Sequence, residues 1–494
     1  MHTHTHTHTR TAIATAIAFA TLALALHVQD TQPPPLTLEQ CIAMALDKNY
    51  DLRIQRITTA AAANAIETAK AAYDPGLTSR FNHGYNRSES IISGDTSSSH
   101  NTSLNAGVSQ KLITGATLQL GYGIDHVSRR AGPNYFGSGL TLSVRQPVLK
   151  NYGSEVNKAA IERARLAQRR SIHDLKADVL DTIRAVESAY YSLAFARANL
   201  EVLKSSLVTA QTLHNENKKR LEIGVGTDLN VLQAQVGVAN AQRAIVNGQK
   251  YVKDAEDTLL SLINPFQFQT AIGPLDAVEI APADISFDRS YKLARDNSPA
   301  LASMRLSIQQ SELDLTVARR NRLPQLDVVG SAGYDASRAS FGRAVGNTLS
   351  HRSHDWSIGA TLTYPIGSRA EKAALANAKA ALDSNQVALE KLDQNVLLQV
   401  RTAIRAVQAS EESVRISALA ATLSEEQYNK EKARYDQGLS TFRFVQDMRQ
   451  DLDNARVAEL NARVSLRLAL ADLARLEGSS LDRYQIKLDD TPAP

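Results

Sequence analysis

Cysteine is nearly absent: the chain holds one, so no disulfide can form within it and no redox compartment can be read from a cystine pattern. Aromatic residues are scarce at 5%, which with abundant alanine suits long helices lying close together. Neither sign of charge dominates. Lys and Arg number 55 against 51 Asp and Glu, and the net charge of +4 is too small and too scattered for a nucleic-acid footprint. After Leu26 no apolar stretch reaches the roughly 18 residues that a membrane helix needs. Catalytic signatures are missing too: there is no phosphate loop, nucleophile elbow, paired zinc ligands or dinucleotide fingerprint. Gly121-Tyr122-Gly123 and Gly224-Val225-Gly226 lack the strand–turn–helix setting that such motifs require. The chain is therefore expected to be no enzyme and to hold no cofactor. His351, His354 and Asp355 have loosely ligand-like spacing but lack a fourth ligand, so no metal is expected there.

What is present starts with an export signal. Arg10 and Thr11 precede a mostly apolar run from Ala12 to Leu26, and Ala23-Leu24-Ala25 fits a small-residue cleavage site. Residues 1–25 read as a secretory signal peptide. Its His-Thr repeat (His2, His4, His6, His8) reads as an unusual leading region rather than a metal tag. Cys41 lies well beyond the apolar run and reads as a helix position, not a lipidation site. An exported chain without a spanning helix is periplasmic, secreted or a barrel.

The chain is also written twice. Ala45 to Tyr85 aligns with Ala294 to Tyr334 at an offset of 249, with Asp47/Asp296, Pro75/Pro324 and Gly84/Gly333 among the matches. Gly153–Leu262 aligns with Gly367–Leu476 at an offset of 214, with Gly224/Gly438, Thr227/Thr441 and Asn240/Asn454. Copy one is expected over 36–263: a helix from about Thr37 to Tyr73, strands about 77–147, a long helix 154–223 and a helix 227–263. A linker 264–283 leads to copy two over 284–477, with a helix over 285–322, strands about 325–365, a long helix 369–437 and a helix 441–477; residues 478–494 form a tail. Apolar residues at every second position mark the strands, as in Ala116, Leu118, Leu120, Tyr122 and Ile124. Three- and four-residue steps from Leu175 to Leu207 mark a coiled-coil-like seam. At 1.5 Å per residue the long helix spans about 105 Å and each flanking helix about 55 Å, so two half-length helices end to end match one full-length helix. That match suits a tube wall. Ile113-Thr114-Gly115 is a short turn, whereas Ser88–Asn101, Asp125–Asn134 and Ala336–His354 are long and rich in Ser, Gly and Asn, the asymmetry of an outer-membrane barrel. Tyr85, Tyr122, Tyr135, Phe136, Trp356 and Tyr364 fall near strand ends and suit interfacial girdles. About four strands in copy one and two in copy two would make roughly 18 in a trimer, or 12 if the 101–126 hairpin lies outside the barrel.

Leu36-Thr37-Leu38-Glu39-Gln40 leading into Ala45-Leu46, the Gln146-Pro147-Val148-Leu149 strand exit and the duplicated glycine-containing turns together resemble the TolC-like outer-membrane efflux proteins, over nearly all of the mature length. The resemblance implies an α+β membrane protein: a homotrimeric outer-membrane β-barrel, seated in outer-membrane lipid and continuous with a periplasmic α-helical barrel. It implies docking to a periplasmic adaptor (a membrane fusion protein) and an inner-membrane transporter. The function expected is a passive exit duct for small molecules such as drugs across periplasm and outer membrane. The outer component of type I protein secretion is one alternative, and a periplasmic coiled-coil scaffold without a channel is another. Metal as cargo gains no support from four methionines.

The turns Gly224-Val225-Gly226-Thr227 and Gly438-Leu439-Ser440-Thr441 are the sharpest candidate sites. Glycine closes each long helix and Thr227 or Thr441 caps the next. The resemblance implies that these turns, with Leu221 and Tyr435 just before them, meet the adaptor's helical hairpin. It also sets Asp447 where the family has a carboxylate that helps close the periplasmic mouth. Asp451 follows one turn later, and three-fold symmetry would make a ring of either; a solvated helix face is the alternative. The family's neighbouring acidic position is Phe444 here. Asp228 beside the first turn suits a helix N-terminus, and Lys218-Lys219-Arg220 reads as a solvated basic face.

Overall fold

The computed structural model describes residues 36–89, 96–130, 132–264, 272–275, 285–350 and 353–486. The expected signal peptide, His351, most of the 264–283 linker and the end of the tail lie outside them. In chain order the main elements are α1 (Leu38–Lys48), α2 (Tyr50–Lys70), β1 (Gly76–Glu89), β2 (Thr96–Lys111), β3 (Thr117–Arg129), β4 (Tyr135–Pro147), α3 (Ala159–Glu222) and α4 (Asp228–Ile263). There follow α5 (Phe287–Asn297), α6 (Pro299–Asn321), β5 (Gln325–Arg338), α7 (Phe341–Leu349), β6 (Asp355–Thr363), α8 (Arg369–Asp436) and α9 (Phe442–Glu477). The duplication reappears in the element bounds. Adding 249 to α1 gives 287–297, the bounds of α5, and adding it to β1 gives 325–338, the bounds of β5. Adding 214 to α4 gives 442–477, the bounds of α9.

The first helix of each copy is not continuous. Thr37 starts α1 with a capping box, its hydroxyl accepting from Gln40 N (3.2 Å) while Gln40 Oε1 accepts from Thr37 N (3.1 Å). Asn49 then turns extended at φ −62°, ψ 131°, and α2 begins afresh at Tyr50. Its counterpart Ser298 does the same at φ −61°, ψ 116°, capping Leu301 N by its hydroxyl (3.3 Å) with Pro299 at the first helical position. Proline there has no N–H to lose and a φ already suited to helix.

Contacts divide the chain into two compact units, Met1–Asn49 with Thr182–Asp284 and Arg405–Asp472, and Tyr50–Asp181 with Ile285–Ile404 and Leu473–Pro494. Each unit takes pieces of both copies.

In the first unit Cys41, Ile42, Ala45, Val186, Leu193, Leu259 and Ile263 are buried. Burial pushes the Cys41 thiol up to about 12, so it stays protonated and packs as a small apolar group. Arg197 on α3 donates to the carbonyls of Gly273 (2.6 Å) and Ile272 (2.9 Å) and to Glu256 on α4 (2.9 Å). Tyr190 OH donates to Leu36 O (3.2 Å), and Leu36 bridges Leu275.

The second unit carries the sheet. Six strands form one antiparallel meander in the order β1-β2-β3-β4-β5-β6. The 101–126 hairpin is part of it, since β2 pairs β1 on one side and β3 on the other. The register sorts side chains by chemistry. One face carries Leu77, Phe81, Leu104, Leu120, Leu142, Trp356 and Ile358; the other carries Arg80, Asn105, Gly123, Gly139, Asp335 and Thr361. Tyr135 falls on the polar face, unlike the other aromatic strand residues. On the polar face glycines make room for flat-lying neighbours: a Cβ on Gly137 would lie 2.2 Å from Asp125 Oδ1, and one on Gly123 2.6 Å from Asn105 Oδ1. Between β2 and β3 the turn is tight, with Gly115 at φ +94° and no room for a Cβ beside Asn151 O.

The 336–354 connection contains α7, which sequence patterning does not foreshadow. Two glycines weaken it as a helix, and it forms by packing on β4 and β5. Ala344 and Thr348 face the sheet, the Thr348 hydroxyl donating to Ser138 O (2.9 Å), and Phe341 meets Phe136 edge-on at 6.1 Å.

Candidate functional site

Both helical turns belong to the first unit, and both are built alike. Gly224 (φ +76°) donates to Leu221 O (3.0 Å) and Val225 to Arg220 O (2.9 Å). Gly438 (φ +77°) donates to Tyr435 O (3.0 Å) and Leu439 to Arg434 O (2.9 Å). These paired bonds make a Schellman motif, which satisfies the last carbonyls of a helix and needs a left-handed residue. Beyond the glycine the copies differ. Gly226 also donates to Arg220 O (2.9 Å), and a Cβ there would lie 2.9 Å from Leu221 N. Ser440 stands at that position in copy two, and its hydroxyl donates to Glu431 on α8. Thr227 caps α4 by accepting from Asn230 N (3.3 Å). Thr441 accepts from Val445 N through its carbonyl (3.5 Å).

The glycine turns leave apolar residues at the tips. Val225 and the equivalent Leu439 are 70% and 66% exposed, and Ile223, Leu229 and Phe444 are exposed as well. Leu221 is partly exposed at 37%. Tyr435, expected to add exposed apolar contact, is only 5% exposed. It is drawn inward because its ring packs with Leu213, Ala234, Phe442 and Val445, and its hydroxyl donates to the buried Asn217 Oδ1 (2.6 Å). Burial holds its phenol above the ordinary range. Arg220 is likewise no solvated residue: its guanidinium lies 4.3 Å over the Tyr435 ring and donates to Asp436 (3.0 Å) and to Tyr435 O (3.3 Å). Lys218 and Lys219 remain exposed. Lys432 reaches Glu216 (3.3 Å) and Asp436 (3.4 Å). Burial works against its charge, but the two carboxylates outweigh it and hold the ammonium above its usual value. The ends of α3 and α8 are thus joined through Asn217, Arg220 and Glu216 on one side and Tyr435, Asp436 and Lys432 on the other.

Asp447 and Asp451 are exposed on α9; Asp447 has a loose 3.9 Å contact with Arg443. Asp228 is exposed at the first position of α4. A less exposed carboxylate of this region is Asp453, which accepts from Ser206 Oγ (2.6 Å); that oxygen also accepts from Arg449 (2.9 Å), tying α9 to α3. His354 and Asp355 take part in no cluster of three ligand-type side chains, and among the described residues there is none. No described helix is long and apolar enough to cross a membrane.

Comparison with known proteins adds a family. Residues 117–265 and 290–479 match the family described as outer membrane efflux protein. The alkaline protease secretion protein AprF of Pseudomonas aeruginosa is 23% identical over 53% of this chain and 53% of its own length. The probable efflux pump outer membrane protein TtgC of Pseudomonas putida is 22% identical over 57% of each. The chain thus matches little more than half the length of these relatives. The outer-membrane channel OprN has the same fold, with a TM-score of 0.69 at 17% identity over 89% of both chains.

Proposed function

This chain belongs to the outer membrane efflux protein family, and from that premise we propose that it is the outer-membrane exit duct of a tripartite export system. It passively conducts small molecules such as drugs from the periplasm to the outside, and a transporter in the inner membrane supplies the energy. The observation that carries this reading is the two-faced sheet. Leu77, Phe81, Trp356, Ile358 and Leu362 are 65–76% exposed on its apolar face. Each is worth roughly 1.5–3 kcal/mol on leaving water, and a soluble monomer rarely presents such a patch. Lipid on that face and water on the polar one satisfy both, as in an outer-membrane barrel. This argues against a periplasmic scaffold.

One chain leaves β1 and β6 as open edges, and an even number of antiparallel strands makes those edges run in opposite directions. Three copies then close edge to edge into 18 antiparallel strands (3 × 6). In this homotrimer the helices line the periplasmic conduit. The tips with Leu221, Gly224–Thr227 and Gly438–Thr441 dock a helical hairpin of a periplasmic adaptor, with Val225 and Leu439 as apolar contacts, and Asp447 and Asp451 form carboxylate rings at the aperture.

A second reading, protein secretion, draws on the similarity to the alkaline protease secretion protein AprF. Deletion of the gene separates the two. Raised retention of a fluorescent hydrophobic dye with an unchanged secretome supports small-molecule efflux; unchanged retention with missing secreted proteins supports secretion.

A further inference from the structure

Charge on the sheet is divided by face. The carboxylates Asp125, Asp327, Asp335 and Asp355 all project from the polar face, and Glu89, the last residue of β1, is the one described carboxylate on the apolar face. The cations of the apolar face gather at its loop end. There the register lines up His83, Thr102, His126, Phe136 and Arg338 in one row across five strands, next to the apolar row of Phe81, Leu104 and Ile124. Arg87 lies further along the same face of β1. Arg343 is carried to this rim by α7, whose Phe341 and Leu349 are 51% and 61% exposed beside it. Arg87, Arg338 and Arg343 are exposed and make no ion pair among the described residues, whereas Arg145 on the polar face pairs with Asp327. Arg338 instead donates to Ser337 O (2.8 Å) and, in the amide orientation that satisfies both groups, to Asn347 of α7 (2.6 Å).

Guanidinium groups without a carboxylate partner, at the border of an apolar band, have one complementary surface. Their stems lie along apolar surface while their heads reach the interface, and the planar fork matches phosphate oxygens in pairs. We propose that Arg87, Arg338 and Arg343 bind the phosphate groups of anionic lipid headgroups in the leaflet at the loop end of the sheet, with Phe341 and Leu349 of α7 embedded among the adjoining acyl chains. The assignment rests on the reading of the sheet as a membrane barrel.

The test uses the full-length mature protein in phosphatidylcholine nanodiscs doped with a bis-phosphorylated glucosamine glycolipid or its dephosphorylated form, with bound lipid counted by native mass spectrometry. The wild type is expected to retain the phosphorylated lipid preferentially. Combined Arg87→Gln, Arg338→Gln and Arg343→Gln should weaken that retention about tenfold or more. Lysine at the same three positions should restore part of it, and Arg80→Gln on the polar face should leave it unchanged. A triple glutamine variant that inserts and retains the phosphorylated lipid like the wild type overturns the lipid site alone. A wild type that fails to enter the bilayer instead overturns the barrel reading beneath it.

Discussion

Replacing Gly224 or Gly438 by alanine isolates the cost of one backbone conformation. Both glycines sit at positive φ (+76° and +77°), and nothing lies within 4 Å of an added Cβ at either. Packing therefore contributes nothing, and what remains is the penalty of a left-handed L-residue, about 1–2 kcal/mol. The amides of Val225 and Leu439 report it, since their bonds to Arg220 O and Arg434 O exist only while the turn is formed. Hydrogen exchange at those amides should quicken by about 5- to 30-fold in the alanine variants, the same penalty expressed as an opening equilibrium. Gly224→Asn should cost less, because asparagine tolerates this region. Gly226→Ala should cost more than Gly224→Ala. Its Cβ would meet backbone at 2.9 Å and 3.0 Å, which cannot swing aside. Equal exchange in Gly224→Ala, Gly224→Asn and Gly226→Ala, or a milder effect at Gly226 than at Gly224, would refute the geometric reasoning.

Other outcomes follow from the same contacts. Tyr435→Phe leaves the buried Asn217 oxygen without its donor and should lower stability by about 1–3 kcal/mol in denaturant unfolding; a loss no smaller when Asn217 is first changed to leucine would show that the bond is not responsible. Glu256 is pulled below the usual carboxylate range: burial raises it, but bonds from Arg197 and Lys253 outweigh that. Its stabilisation is therefore present above its unfolded value of about 4.3 and lost as pH falls through the lower folded one. Glu256→Gln should flatten that acid limb of the stability profile, and an unaltered limb would remove Glu256 from the account. Arginine at Gly224 or Gly438 should abolish export with trimers intact, read by dye retention and crosslinking; normal export by both variants would detach the turns from docking.

Periodicity and punctuation made much of the fold readable. Strict alternation at 116–124 marks β3, and the proline stops at Pro75 and Pro324 mark a helix-to-strand junction that recurs in both copies. The breaks at Asn49 and Ser298 were harder, because apolar spacing continues across them; Ser298-Pro299 was nevertheless a start signal of the ordinary kind. Nothing local marks α7, whose Gly342 and Gly346 argue for a loop until β4 and β5 supply a surface. At the turns, glycine and threonine advertised the backbone geometry. Asn217, Arg220 and Tyr435 did not advertise theirs, since a bond spanning 218 residues leaves no trace in spacing.

The central claim is that the sheet stands in a membrane with its apolar face to lipid. Single cysteines placed in turn along β2 from Thr102 to Val108, in a Cys41→Ala background and labelled with a fluorophore in proteoliposomes, test it most directly. A lipid-dissolved quencher should dim the labels at 102, 104, 106 and 108, and an aqueous quencher those at 103, 105 and 107. Uniform quenching by the aqueous agent at all seven positions would contradict the membrane barrel and the exit duct built upon it.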